Sequence, residues 1–256
     1  MTREATISAL VIDTNVGATL ENCLKHLKWV DDIVVILFDN ASDQSRIVVN
    51  KYKGRIVECS WSNEGFNLNT GIKLCRAGWI LEIYSSDYVT SELAEEIRAT
   101  VRNSYHDVYR LKVENYIGEK IITKGWDVGP FGNLSYIGLF KQGAKSWGIR
   151  RMASDITFTG KLAPYELKNP VISKKYQNIS EILGQLDCLS TLRAKDLVEN
   201  GEITSSIWSF GKFMYEFFRI YFRHGSYKEG GYGFVLAICM GLYPLVSNIK
   251  AIYEES

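Results

Sequence analysis

The sequence predicts an α/β protein: a mixed, mainly parallel sheet flanked by helices, followed by a C-terminal helical extension. Three observations carry that expectation. The runs Ile7 to Ile12, Ile33 to Phe38 and Trp79 to Tyr84 are strand-length and nearly unbroken in apolar character, as in parallel strands buried on both faces. Segments of helical spacing separate them, and strand–helix–strand–helix–strand order with short connections gives a parallel sheet under helices. After Val108 the pattern turns to alternation and glycine, and after Tyr176 to helices, so we divide the chain into 1–175 and 176–256.

The elements follow in order. Ile7 to Ile12 is the first strand and ends in Asp13-Thr14-Asn15. Leu20, Leu24, Leu27 and Val30 then recur at helical spacing. Ile33 to Phe38 is stopped by Asp39-Asn40-Ala41-Ser42-Asp43. Ile47 to Tyr52 suits a short helix and Arg55 to Cys59 a short strand. Asn67 to Cys75 reads as a helix, Trp79 to Tyr84 as a strand, and Ser91 as the cap of a helix through Val101, with Glu92 to Glu96 in the first turn, where the helix dipole favours acids. Val108 to Val113 alternates like a half-buried strand; Tyr136 to Phe140, Ile156 to Phe158 and Val171-Ile172 are further strands. Ile179 to Glu199 is helical with Ser180 as cap. Ile207 to Phe222 is a helix crowded with aromatics, and Phe234 toward Ile252 a last apolar helix with Pro244 as a kink point.

Composition excludes several classes. The 256 residues are 46% hydrophobic and 23% charged with a net charge of +1, so no global field recruits nucleic acid. Five scattered cysteines without a CxxC pair read as buried thiols of a reducing compartment. The N-terminus carries no signal-peptide pattern, and the longest apolar stretch, Phe234 to Val246, falls short of the roughly 20 residues that span a bilayer. A cytoplasmic protein is expected, one that touches the inner face of the membrane. His26, His106 and His224 have no metal spacing, and no Walker loop, GxGxxG fingerprint or Gly-x-Ser-x-Gly elbow is present.

Ligands of parallel α/β sheets bind at the carboxyl ends of the strands. Asp13 to Asn15, Asp39 to Asp43 and Ser85 to Asp87 each sit at such an end. Asp39 suits hydrogen bonding to a base, and Asp39-Asn40 equally suits a turn capping the next helix. Asn69 and Lys73, one helical turn apart, suit a diphosphate or a solvated helix face.

In order and spacing, these segments resemble the family 2 inverting glycosyltransferases of the GT-A fold, nearest to the bacterial lipopolysaccharide-core heptoside β-glucosyltransferase branch. The carrying stretches are Ile7 to Asn15, Trp29 to Val35, Asp39 to Asp43, Gly65 to Ile72, Gly78 to Leu81 and Ser91 to Ile97, with the C-terminal order from Tyr176 through Phe234. The resemblance implies a nucleotide-sugar donor held by Asp13, Asn15, Asp39, Asn40, Asn69, Lys73 and Ser86. It also implies transfer of a sugar to a lipopolysaccharide or other lipid-linked surface glycan. Three positions depart from the family pattern. Where an Asp-x-Asp pair holds Mg²⁺ or Mn²⁺, this chain has Tyr84-Ser85-Ser86, leaving Asp87 as the metal acid. Where a Val-His-Glu stretch supplies the general base, it has Met152-Ala153-Ser154, leaving Asp155 next, with Asp127 and Glu166 behind it. Val16 follows Asn15 in place of an acid. These departures raise the alternative of a catalytically silent relative that binds a nucleotide, glycan or partner protein.

The aromatic helix has two readings. It packs in a core or against a partner subunit, the homo-oligomer case, or it lies in a membrane interface with Lys212, Arg219 and Arg223 at the head groups. The lipid-linked acceptors of the resembled family favour peripheral membrane contact.

Overall fold

The computed structural model describes residues 5–13, 19–38, 41–59, 64–126, 130–148 and 156–254. The chain forms two compact units, one made of residues 1–114 and 135–175 and the other of 115–134 and 176–256.

The first unit is built on the strands that the apolar runs predict. β1 (Ile7–Ile12) lies between β2 (Asp32–Phe38) and β4 (Trp79–Tyr84), parallel to both, and β3 (Arg55–Cys59) continues the parallel set outside β2. The order is β3-β2-β1-β4-β8-β6-β12-β5, with β8 (Ser135–Lys141) antiparallel to β4 and to β6 (Val108–Ile117). Four short strands escape the sequence reading: β5 (Asp87–Tyr88), which pairs antiparallel with β12 (Val171–Tyr176), β11 (Leu162–Glu166), which runs beside β6, and the three-residue strands β7 (Lys120–Ile122) and β9 (Lys145–Trp147). A small antiparallel pair, β9 (Lys145–Trp147) with β10 (Ile156–Phe158), stands apart from the large sheet.

Why the central strands are apolar at every position is visible in the packing. Ala9, Val11, Val35, Leu37, Leu81 and Ile83 join Leu20, Leu24 and Leu27 of the α1 (Thr19–Lys25) segment and Leu93 and Ile97 of α4 (Ser91–Arg102) in one core. The alternate residues Leu10, Ile12, Val34, Ile36 and Ile80 join Leu68 and Ile72 of α3 (Glu64–Leu74) in another. The period-2 side chains of one strand thus fill two cores, and both faces demand aliphatic residues. On the α3 face the approach is closest at Gly71, where a Cβ would lie 2.7 Å from Leu10 Cδ1 and 2.9 Å from Ile36 Cδ1.

Several helices start earlier than expected: the one after β2 begins at Asp43 rather than near Ile47, and α3 at Glu64 rather than Asn67. The caps differ as well. Thr90, not Ser91, caps α4: its Oγ1 accepts the Leu93 N–H at 3.2 Å. Ser42 caps α2 (Asp43–Lys51) through the Ser45 N–H.

In the second unit the end of β6 folds back on β7 (Lys120–Ile122), and the Trp126 ring stacks on Tyr176 with centroids 5.9 Å apart. α5 (Ile179–Glu199) is capped by Asn178 rather than Ser180, the Asn178 Oδ1 accepting from Glu181 N at 3.1 Å. α6 (Ser206–Phe218) runs into a π-helical turn over Arg219–Arg223 and a 3-10 turn over Ser226–Glu229. α7 (Gly231–Tyr253) is continuous through Pro244. At 23 residues it is long and apolar enough, by length and composition, to cross a membrane, which corrects the shorter apolar stretch read from the sequence. Leu236, Ala237, Cys239, Met240 and Gly241 of α7 are buried, and a Cβ on Gly241 would meet Phe213 of α6 at 3.0 Å. Within this unit α7 therefore packs as a core helix.

Candidate functional site

The strand tips of β1 and β4 build the site. At the end of β1 the Asp13 N–H donates to Ile36 O at 3.0 Å, and after β4 the Ser85 N–H donates to Ile12 O at 2.9 Å. Both bonds extend the parallel ladder past the regular strands, so Asp13 and the Ser85-Ser86 turn leave the sheet side by side. The chain then drops into β5, whose Asp87 pairs with Ser173 of β12 while Lys174 N donates to Ser86 O at 3.1 Å.

This local course buries polar groups. Ser85, Ser86, Asp87 and Asp13 are all buried, none more than 5% exposed. The Ser86 hydroxyl donates to Asp87 Oδ1 at 3.2 Å, and the Ser173 hydroxyl also bonds the carboxylate. Burial nevertheless dominates and pushes the Asp87 carboxyl up to about 6, against the lowering effect of both serines and the Lys175 charge. Cys23 of α1 sits among these acids. Its thiol is pushed well up by burial, then by the charges of Asp87 and Asp13, and it donates to Tyr84 O at 3.6 Å. Tyr136 of β8 borders the same cluster; its phenol, raised by burial and then by Asp87, donates to Glu82 O at 3.0 Å. A buried cluster of acidic groups therefore lies across the tips of two adjacent strands.

Among the residues singled out from sequence, Asp13, Ser86 and Asp87 come together here. Asn69 does something specific elsewhere. Its Nδ2 donates to Trp147 O at 2.7 Å and its Oδ1 accepts the Trp147 N–H at 2.9 Å. The amide thus pins β9 to α3, on the sheet face opposite α1. Lys73, one turn further along α3, is exposed. Glu166 is exposed on β11. Asn15, Asp39, Asn40, Asp127 and Asp155 lie outside the described residues.

The sequence reading passed over an ion pair that shapes this region. Lys145 Nζ bonds Glu82 Oε1 at 2.8 Å with both side chains at most 1% exposed, and it also donates to Ile137 O at 2.8 Å. Trp147 Nε1 donates to Glu82 Oε2 at 3.2 Å, and the ammonium lies 4.3 Å from the Trp147 ring centroid. Burial lowers the Lys145 pKa while Glu82 opposes it. At the amino ends of the strands a separate latch closes the sheet: Asp32 accepts from Ser8 Oγ at 2.7 Å, Arg55 Nη2 at 2.7 Å and Arg76 N at 3.2 Å.

Among the described residues no group of three His, Cys, Asp or Glu side chains converges to hold a metal. The donor set around Asp87 is one carboxylate with serine hydroxyls. That set fits only a cation whose remaining ligands are substrate phosphates and water.

The architecture is a GT-A-like fold. The chain aligns over 98% of its length with 89% of a structure of residues 1–349 of S. aureus TarS in complex with UDP-GlcNAc, at a TM-score of 0.50 and 13% identity. Two proteins named uncharacterized glycosyltransferase are similar along most of their length. The one from Rickettsia bellii (strain RML369-C) is 22% identical over 237 residues, 90% of this chain and 80% of that protein. The one from Rickettsia conorii (strain ATCC VR-613 / Malish 7) is 22% identical over 240 residues, 91% of this chain and 84% of that protein. No family model matches the chain.

Proposed function

We propose that this protein is a nucleotide-sugar-dependent, inverting hexosyltransferase that acts at the inner face of the cytoplasmic membrane on a lipopolysaccharide or surface-glycan acceptor. The observation that carries the reading is the convergence of Asp13, Ser86 and Asp87 at the carboxyl ends of β1 and β4, where sheets of this kind bind nucleotides. The glycosyltransferase fold and the named relatives support it.

In this reading Asp13 and Ser86, together with Asn15, Asp39 and Asn40, hold the donor's nucleoside, and Lys73 faces its diphosphate. Asn69 acts on the donor side through Trp147, whose backbone it fixes. Asp155 takes the proton from the acceptor hydroxyl as it attacks the anomeric carbon opposite the departing diphosphate. A Mg²⁺ or Mn²⁺ ion carried by the diphosphate would be held by Asp87 and would neutralise charge on the leaving group.

A second reading, a silent relative that binds a nucleotide or partner without turnover, is favoured by the single buried carboxylate standing where a metal-binding pair is expected. One assay separates the two. Release of nucleoside diphosphate is measured from UDP-, GDP- and ADP-sugars with glycolipid extracts as acceptor. Release that depends on acceptor and is lost in Asp155→Asn supports the transferase. Donor binding with no release by the wild type under any condition refutes it.

A further inference from the structure

The second unit carries an aromatic face that none of its described residues covers. On α6 and the turn that follows, Trp208 is 79% exposed, Tyr215 61%, Phe218 50% and Phe222 58%. Trp208 and Tyr215 are seven residues apart and so share one side of α6, and Phe222 in the π-helical turn continues the exposed aromatics beyond them, with Phe210 exposed as well, while Ser209 and Ile220 are buried. Lys212, Arg219 and Arg223, each four residues or fewer past an aromatic of the stripe, run alongside it. From Ser206 to Lys228 the sequence holds Lys212, Arg219, Arg223 and Lys228 against a single acid, Glu216. That acid is already taken, because Arg219 Nε donates to it at 2.9 Å.

We infer that this stripe is a docking surface for an anionic lipid bilayer, with the aromatic rings in the interface and Lys212 and Arg223 at the lipid phosphates. Aromatic side chains flanked by cations partition to the boundary between head groups and acyl chains. A second copy of the chain is the poorer occupant. A twofold interface would bring two cation rows together, and the one acid of that segment, Glu216, is already bonded to Arg219. The assignment names the face behind the membrane contact in the proposed function and rests on that part of it, while donor binding is measured separately.

The test is co-sedimentation of the full chain with vesicles of phosphatidylcholine alone and of phosphatidylcholine mixed with phosphatidylglycerol. Binding is expected to the mixed vesicles only and to weaken as salt screens the cations. Lys212→Glu with Arg223→Glu should reduce it at least tenfold, since each cation near an anionic surface contributes roughly fivefold in partitioning. Trp208→Ser with Phe222→Ser should abolish it while the circular dichroism spectrum, thermal midpoint and nucleotide-sugar binding stay at wild-type values. Absence of binding to anionic vesicles by the wild type overturns the inference. So does a concentration-dependent dimer that the serine variant dissolves without any lipid binding having been present.

Discussion

Replacing Asp87 by Asn tests the electrostatics of the strand-tip cluster, because the substitution keeps the shape and removes the charge. The carboxyl is 4% exposed, and burial raises it from 3.8 to about 6. A rise of about two pH units at 1.36 kcal/mol each corresponds to about 3 kcal/mol. The folded value lies above the unfolded one, so the native state holds the proton more tightly. The associated stability is fully present below pH 3.8 and is lost as pH climbs through about 6. At pH 8 the wild type thus folds around an ionised, buried carboxylate. An asparagine there still accepts from Ser86 and avoids that penalty. Urea unfolding of wild type and Asp87→Asn at pH 4 and pH 8 measures the difference. The variant should match the wild type at pH 4 within about 1 kcal/mol and exceed it at pH 8 by up to about 3 kcal/mol. An equal gain at both values, or a variant less stable at pH 8, would refute the assigned cause. In the proposed function the same variant loses Mn²⁺-dependent donor binding, so a gain in stability accompanies a loss of function.

Three further outcomes follow from the packing. Lys145→Met leaves Glu82 charged and buried, and should cost about 3–5 kcal/mol in chemical denaturation, while the double variant with Glu82→Gln should recover a large part of that loss. Gly71→Val forces branched carbons into Leu10 and Ile36 and should destabilise by about 1–3 kcal/mol or more, seen as a lowered thermal midpoint. Thr90→Ala removes the α4 cap and should cost about 1 kcal/mol with donor binding unchanged; a Ser91→Ala control should cost less, and the reverse ranking would contradict the cap assignment.

The parallel half of the fold was legible because burial on both faces leaves a strong signature: Ile7 to Ile12 and Ile33 to Phe38 admit almost no polar residue. The strand-tip position of Asp13 followed from the same reading, since a polar residue directly after such a run stands at the carboxyl edge of the sheet, whereas Asp87 lies past Ser85 and Ser86 in β5, a strand that the run did not announce. What escaped depends on partners remote in sequence. Glu82 looks like an ordinary interruption of Trp79 to Tyr84, and its cation lies 63 residues on, in a three-residue strand too short for a periodic signal. Asn69 resembled a phosphate ligand, but which way an amide on a helix points depends on what packs beside it, here the Trp147 backbone. The cap of α4 was misplaced by one residue because Thr90 and Ser91 are both good caps and only the backbone angle decides between them. The exposure of Trp208 and Phe222 was hidden too, since aromatics recur around α6 and tertiary packing alone selects which of them face outward.

The most direct measurement is thermal stabilisation by UDP-, GDP- and ADP-sugars, with and without Mn²⁺, in wild type, Asp13→Ala and Asp87→Ala. One nucleotide class should stabilise the wild type by about 2.7 kcal/mol at a hundredfold excess over its Kd, and either substitution should remove most of that effect. If no nucleotide-sugar stabilises the wild type, or if both variants bind as tightly as it does, the tips of β1 and β4 are not a donor site.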